Sequence, residues 1–396
     1  FGETAMRDKP YCKAPWIGVS YESTEGCKPC CEWQGLTFKG TYTDYVKSDY
    51  LKDFKKLMYN DEMDTRCVEC IHNESPELNG KFSRRLWFEK HDITDGLVKL
   101  DYRAGNKCNM KCRMCGPGSS SLWEEELIEA HMNFTYTSDT GEVDSNISPS
   151  IPLSKIDTSD VYDIDLSSVK LISILGGEPS IDMKVRNFID YVTNTKLNDA
   201  IDIGLTTNAT NASSKWFKTL GAVENLYIQM SVDATGDVQD YQRKGGEWDK
   251  IKKNMIKYRD TFENVEIHLT VTAINFTVLD IWWDELMSLN IPTDFVVVHE
   301  PKHHSLDAIP VSYKEAMVKW LTEWVNVPNT YQEQKLGSGR KKSKQKMVKE
   351  AIAILQGSKY NPVWNKEFKK NTLYLDSIRD ESIFDIDPRF KEILNA

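Results

Sequence analysis

Residues 107–117 read Lys-Cys-Asn-Met-Lys-Cys-Arg-Met-Cys-Gly-Pro and place three cysteines in the spacing C-x3-C-x2-C. These cysteines, Cys108, Cys112 and Cys115, follow closely after Leu97–Arg103, a segment that we predict to be a β-strand. Three thiolates on one loop can ligate three irons of a 4Fe-4S cluster and leave the fourth iron without a protein ligand. The loop therefore predicts a cluster with one open iron at the end of a strand.

Zinc is the alternative occupant of this loop. Closed zinc sites use four ligands, commonly in paired C-x2-C units, and a loop with three cysteines fits that pattern poorly. His91 and His131 flank the loop at a distance in sequence, so a Cys3His site stays open as an alternative at this point.

Beyond the loop, residues 93–305 alternate short apolar segments with helical patterns. The further predicted strands are Val169–Leu175, Ile201–Thr206, Leu226–Val232, Val265–Ala273 and Phe295–His299. Repeated strand–helix units favour a parallel sheet, and six such units give a partial barrel rather than the full eightfold one. We therefore predict an α/β fold with a partial (β/α)6, TIM-like barrel.

Polar and glycine-rich motifs follow these strands at their carboxyl ends, where parallel barrels bind ligands. Each motif alone is weak, because ordinary turns also use glycine and surface helices often carry arginine. Their ordered occurrence is more specific. The candidate residues are Gly176, Gly177, Glu178, Pro179, Thr207, Asn208, Ser231, Asp233, Arg243, Thr272, Asn275 and His299.

The cysteine loop and these motifs together resemble the radical SAM superfamily. The resemblance implies that S-adenosylmethionine (SAM) chelates the open iron, and that an electron from the cluster cleaves SAM to a 5′-deoxyadenosyl radical. Gly176–Pro179 is similar to the GGE motif, whose backbone contacts the SAM amine. Thr207 and Asn208 belong to a TNG-type segment in which this chain has Ala209 instead of the usual glycine.

The same resemblance assigns the remaining motif residues. Ser231 and Asp233 match the ribose-binding motif, and Arg243 matches an arginine that contacts the SAM carboxylate. His299 lies near the place where adenine or substrate is expected.

The N-terminal region, residues 6–92, carries six further cysteines and resembles the auxiliary-cluster modules called SPASM and twitch. The resemblance implies that Cys12, Cys30, Cys67 and Cys70 ligate a second 4Fe-4S cluster. Cys31 is the alternative to Cys30, and Cys27 is then a buried or free thiol. The module precedes the barrel here, whereas the family places it afterwards. Structural zinc is the competing interpretation, since four thiolates with a C-x2-C pair suit it.

Three other segments complete the predicted organisation. Residues 1–5 are interpreted as an expression remnant ahead of a native start at Met6. Residues 133–167 form a long polar insertion with room for a short hairpin, and residues 306–396 are predicted to be mostly helical.

The composition of the chain limits which ligands and which cellular compartment we expect for the protein. A net charge of −10 argues against a nucleic-acid ligand, and no stretch approaches the ~20 apolar residues that span a membrane. We find no signal peptide pattern, so we expect a cytoplasmic protein in a reducing environment, where cysteine clusters bind metal.

The leading functional hypothesis is hydrogen-atom abstraction from a small polar metabolite or sugar-like molecule. A reductant such as flavodoxin or ferredoxin is expected to supply the electron. A radical SAM maturase that modifies a peptide is the alternative. A non-catalytic, zinc-binding interaction protein is the alternative from another class.

Overall fold

The computed structural model describes residues 10–59, 65–67, 70–71, 74, 83–130, 134–137, 143–147, 155–298, 301–327, 334–335 and 341–395. Its main feature is an eight-stranded, mostly parallel sheet that does not close. The strand order is β10-β9-β8-β7-β6-β3-β1-β2. The strands of the described residues are β1 (Gly18–Glu22), β2 (Gly26–Lys28), β3 (Lys99–Arg103), β4 (Phe134–Thr137), β5 (Val143–Ile147), β6 (Leu171–Leu175), β7 (Asp202–Thr207), β8 (Asn225–Ser231), β9 (Val265–Val271), β10 (Thr293–Val297), β11 (Gln334–Lys335) and β12 (Lys341–Lys342).

The predicted fold class is confirmed, with one addition. The six predicted strands correspond to β3 and β6 to β10, with shifts at their ends. The N-terminal region adds β1, which pairs parallel with β3, and β2, which pairs antiparallel with β1. The polar insertion contains the hairpin β4–β5.

Helices occupy much of the remaining described chain. They are α1 (Ala14–Ile17), α2 (Tyr42–Lys47), α3 (Asp49–Leu57), α4 (Arg84–Phe88), α5 (Ser121–Glu129), α6 (Met183–Thr193), α7 (Ser214–Leu220), α8 (Gly236–Gln242), α9 (Trp248–Thr261), α10 (Leu279–Ser288), α11 (Val311–Trp324), α12 (Lys344–Gly357), α13 (Pro362–Arg379), α14 (Ile383–Ile386) and α15 (Phe390–Ile393). Within the described part of the chain, no helix is both long and apolar enough to cross a membrane.

The chain divides into two compact units. Unit 1 comprises Phe1–Lys107, Leu153–Leu205 and Lys215–Leu226, and unit 2 comprises Cys108–Pro152, Thr206–Ser214 and Tyr227–Ala396. Each unit contains one of the two predicted cysteine sets.

In unit 1 the strands bury one apolar face and carry charges on the other. Leu100 and Tyr102 of β3 are buried, and the Tyr102 ring lies 4.7 Å from the ring of Phe188 on α6. Successive strand residues point to opposite faces, so Lys99 and Asp101 share the other face.

In unit 2 the C-terminal helices enclose a second core. The rings of Trp283 on α10 and Trp324 on α11 meet edge to face at 5.8 Å, and Phe295 of β10 stacks on Trp283 at 6.0 Å. This aromatic packing ties the C-terminal helices to the strands of the same unit.

Candidate active site

The cysteine loop of unit 2 is held by the start of helix α5. Ser120 is the N-cap of α5, since its hydroxyl accepts the Trp123 amide at 3.3 Å and also donates to the Met110 carbonyl. The Trp123 indole N–H donates to the Cys112 carbonyl at 2.6 Å. The backbone around Cys112 is therefore fixed by a cap and by a buried tryptophan.

Arg243 lies against the thiol of Cys112. Its Nη1 donates to Cys112 Sγ at 3.7 Å, and both side chains are buried. A hydrogen bond from Cys115, supported by the Arg243 charge and opposed by burial, lowers the pKa of Cys112 below the usual value of a thiol. The same bond and burial raise the pKa of Cys115. A thiolate is the form that binds metal, so the site favours ligation at Cys112.

Asp233 orients Arg243. It is completely buried, and its two oxygens accept from Arg243 Nε at 2.6 Å and Nη2 at 3.0 Å. Gln242 Nε2 and the Thr270 amide complete four bonds to the carboxylate, at 3.0 and 2.8 Å. Asn275 joins this network by donating to the Asp233 carbonyl at 2.9 Å. These bonds give Asp233 a positioning role, while its predicted contact with SAM stays a prediction.

Asn208 reaches the middle of the cysteine loop. Its Nδ2 donates to Asn109 Oδ1 at 3.0 Å, and Asn109 Nδ2 donates to Thr210 Oγ1 at 3.0 Å. Between them Ala209 adopts a left-handed backbone with φ of 58°. That conformation explains why glycine is the residue expected at this position.

In unit 1 the Gly176–Pro179 motif supports the segment that leads into the cysteine loop. The Gly177 amide donates to the Gly105 carbonyl at 3.2 Å, and the Glu178 amide donates to the Lys107 carbonyl at 2.7 Å. A Cβ on Gly177 would lie 2.2 Å from the Lys107 oxygen, so only glycine fits. The predicted contact of this motif with the SAM amine stays a prediction.

A small cleft in unit 1 gathers four of the N-terminal cysteines. It is partly open to solvent. Its lining residues are Tyr11, Cys12, Cys30, Glu32, Cys67, Cys70, Arg84, Arg85 and Phe88. The four predicted auxiliary ligands therefore line the same cleft.

The other two N-terminal cysteines lie elsewhere. Cys31 does not line the cleft, and its thiol lies 3.6 Å from Glu32 Oε1. The backbone of Cys27 pairs with Phe38, and its buried thiol lies 3.9 Å from the Gly40 carbonyl.

The surroundings of the cleft are largely apolar. Cys12 and Cys30 pack against two hydrophobic clusters, one around Ile17 and Phe88 and one around Trp33. Burial raises the pKa of Cys12 to about 12, so this thiol is neutral without a metal. Among the described residues, no three metal-binding side chains are close enough to share a single ion.

Sequence reasoning missed a charged row on the sheet of unit 1. Lys99 pairs with Asp101, and its Nζ also lies 3.3 Å from Ser173 Oγ. Arg103 Nε lies 3.5 Å from Glu22 on the neighbouring strand. The period-2 pattern Lys-Leu-Asp-Tyr-Arg at 99–103 was the available signal.

Residues 102–281 match the sequence profile of the radical SAM superfamily. The chain contains a radical SAM domain. This domain makes the chain an enzyme, and it implies a 4Fe-4S cluster and SAM as cofactors. It includes the cysteine loop and all strand-end motifs except His299, which lies outside the described residues.

Known proteins resemble the radical SAM domain and its flanks. A probable GTP 3′,8-cyclase of Methanococcus maripaludis is 25% identical over 218 residues, which cover 52% of this chain and 62% of that protein. The chain thus spans less than two thirds of this curated relative.

Two solved structures resemble it in fold. Streptococcus suis SuiB bound to precursor peptide SuiA is 15% identical with a TM-score of 0.38, covering 67% of this chain and 53% of SuiB. AnSMEcpe with bound AdoMet is 15% identical with a TM-score of 0.38, covering 57% and 59%.

Proposed function

We propose that the chain cleaves SAM reductively at a 4Fe-4S cluster ligated by Cys108, Cys112 and Cys115. The resulting 5′-deoxyadenosyl radical takes a hydrogen atom from a small polar substrate. The observation that carries this proposal is the buried pair of Arg243 and Asp233. Arg243 contacts Cys112, which is one of the three thiols on the loop. The donor set fits a cluster with one open iron.

The chain's own residues hold and orient the reactants. When bound, the cluster supplies the electron that breaks the sulfonium C–S bond, and flavodoxin or ferredoxin replaces that electron in a reducing cytoplasm. Arg243 favours the Cys112 thiolate and carries the charge that suits the SAM carboxylate. Ser231 and Asn208 offer polar groups to SAM, and Gly177 keeps the segment before Cys108 in place.

The charged row of unit 1 supports a polar substrate. Asp101 pairs in register with Ser20 on β1 and with Ser173 on β6, so these side chains share one face of the sheet. Burial raises the pKa of Asp101, but the charges of Lys99 and Arg84 lower it by more. The net pKa is below the usual value of an aspartate, so this carboxylate is ionised. Lys99 and Asp101 are themselves buried, so the part of this row that can meet a polar substrate is the Arg103 side chain, which is 31% exposed. The GTP 3′,8-cyclase relative is named for a nucleotide substrate, which belongs to the same polar class.

The cleft of unit 1 holds an auxiliary 4Fe-4S cluster on Cys12, Cys30, Cys67 and Cys70. Structural zinc would use the same four thiolates, and iron and zinc analysis separates the two occupants. Arg84 and Arg85 also line the cleft, and each pairs with a glutamate, Arg84 with Glu32 and Arg85 with Glu74. Its role is electron transfer or support of the fold.

Iron content and SAM cleavage test the proposal together. Protein purified without oxygen should contain roughly eight irons, and with dithionite it should convert SAM to 5′-deoxyadenosine. Cys112→Ala should abolish this cleavage, whereas Cys27→Ala, which changes a thiol outside both sets, should retain it. Continued cleavage by Cys112→Ala would overturn the proposal, and a zinc-containing, iron-free protein would favour the interaction-protein alternative.

The substrate is then found by its effect on SAM cleavage. Small polar metabolites, sugars and peptides are screened anaerobically for an increase in 5′-deoxyadenosine above the substrate-free level. An increase with peptides alone would replace the small polar substrate by the maturase alternative.

A further inference from the structure

The end of helix α13 contacts the cysteine loop through a buried carboxylate. Asp376 Oδ1 accepts from Arg113 Nη2 at 2.6 Å, and Arg113 is the residue directly after Cys112. The Arg113 side chain is 1% exposed, and Glu381 also accepts from it at 2.8 Å. Tyr241 adds a hydroxyl bond to Asp376 at 2.7 Å, and its ring lies 3.6 Å from the Arg113 guanidinium. The loop side chain next to Cys112 is therefore fixed by α13 and its following turn.

A second ion pair from the same helix reaches the other side of the loop. Arg379 Nη2 lies 2.6 Å from Glu126 on α5, and the arginine side chain is completely buried. Glu126 also pairs with Lys111, the residue directly before Cys112. The Arg379 guanidinium lies 4.8 Å from the Trp123 ring, whose N–H holds the Cys112 carbonyl.

An apolar contact joins these ion pairs. Leu375 of α13 is buried with Trp123 and Leu127, and Cys115 packs against this cluster. Leu375, Asp376 and Arg379 thus contact the loop residues or their supports within the last two turns of one helix.

We propose that the C-terminal end of α13, with Asp376 and Arg379, is a positioning element for the cluster loop. It holds Lys111 and Arg113 on both sides of Cys112, and it keeps the three thiols in the arrangement that retains iron. Removing one partner of a buried ion pair leaves the other charge uncompensated, so the loop would open more readily. The inference rests on the proposed cluster, and it gives the C-terminal region a role that the sequence did not indicate.

Release of iron to a chelator measures this role independently of catalysis. The full-length protein is loaded with iron, and loss of visible absorbance on addition of a ferrous chelator is followed under anaerobic conditions. Asp376→Asn and Arg379→Gln should release the SAM-site iron at least about threefold faster than the wild type. In both variants the electron paramagnetic resonance spectrum of the reduced cluster should respond less to added SAM. Glu367→Gln is the matched control, because its pair with Lys370 lies on the exposed side of the same helix.

Milder variants keep the test decisive if the first pair does not fold. Arg379→Lys retains the charge and should restore most of the slow iron release, and Glu381→Gln removes the charge of a second partner of Arg113, whose side chain is 13% exposed. Glu381→Gln should release iron faster than the wild type, and the inference is overturned if the charge-removing variants Asp376→Asn, Arg379→Gln and Glu381→Gln release iron at the wild-type rate with an unchanged SAM response. A wild-type protein that binds no iron would instead refute the proposed function.

Discussion

Cys30 and Cys31 show how far a residue assignment depends on the fold. The two cysteines are adjacent, and sequence alone leaves both as candidate ligands. In the structure Cys30 lines the cleft, whereas the thiol of Cys31 lies beside Glu32. Burial and the nearby charge of Asp101 raise the pKa of Cys31. Adjacent side chains diverge from a common backbone, so only one of them can face the other three cysteines.

This difference gives a prediction at single-residue resolution. Cys30→Ser should reduce iron from roughly eight to roughly four per chain, whereas Cys31→Ser should retain the full amount. Iron and sulfide analysis of the two purified variants measures both values. Loss of iron in Cys31→Ser with retention in Cys30→Ser would exchange the two assignments.

The predictability of the site also varies by residue. The spacing of Cys108, Cys112 and Cys115 was sufficient to predict their shared loop. The bond between Asp376 and Arg113 was not predictable, because these residues are 263 positions apart and Asp376 belongs to no motif. Such a pair depends on the three-dimensional path of the chain.

At the scale of elements, the turn after β6 has little room for substitution. Gly177→Ala would place a Cβ against the Lys107 carbonyl, and overpacking of this kind costs about 1–3 kcal/mol. We expect a lower denaturation midpoint and strongly reduced 5′-deoxyadenosine formation, since the segment before Cys108 must move. Gly118→Ala is the control, because a Cβ there meets nothing within 4 Å. Equal denaturation midpoints and equal 5′-deoxyadenosine formation in the two variants would show that this turn does not support the cysteine loop.

The 3-10 turn Lys302–His304 makes unit 2 sensitive to acid. Burial lowers the pKa of His303 to about 4, and burial together with the charges of His303 and Arg113 lowers the pKa of His304. Both histidines are neutral when folded, but the unfolded chain binds protons below its pKa of about 6.5. Stability is therefore complete above that pH and decreases as the pH falls from about 6.5 towards 4.

A histidine variant measures this effect. Between pH 7 and pH 5.5 the wild type should lose about 1 kcal/mol more unfolding free energy than His303→Asn. Chemical denaturation at the two pH values gives the comparison. An identical loss in both proteins would show that this turn does not titrate as its burial indicates.

At the scale of the whole molecule, the sequence predicted the strand–helix alternation but not the full sheet. Strands such as β6 were predicted because their apolar runs are local, although Val169 belongs to the preceding turn and not to the strand. Strand β1 was missed because it is only five residues long and because its partner β3 lies far from it in the sequence. Long-range pairing leaves little signal in a single sequence, whereas periodicity leaves a clear one.

The division into two units leads to a final prediction about the independence of the two thiol sets. Cys12, Cys30, Cys67 and Cys70 belong to unit 1, whereas the cysteine loop begins unit 2 at Cys108. Because the contacts described around the cleft and those described around the cysteine loop involve different residues, loss of one cluster should leave the other in place. Cys70→Ala and Cys112→Ala should each retain roughly four irons per chain, and the double variant should retain almost none.

SAM cleavage should separate the same two variants. Cys70→Ala should cleave SAM without substrate at a rate within about twofold of the wild type, since the loop, Arg243 and Asp233 are unchanged. A tenfold lower rate would mean that the activation free energy had risen by about 1.4 kcal/mol. Cys112→Ala should give no 5′-deoxyadenosine. If Cys70→Ala lost all of its iron, the cleft of unit 1 would have to support the cysteine loop as well, and the two sites would form one cooperative structure.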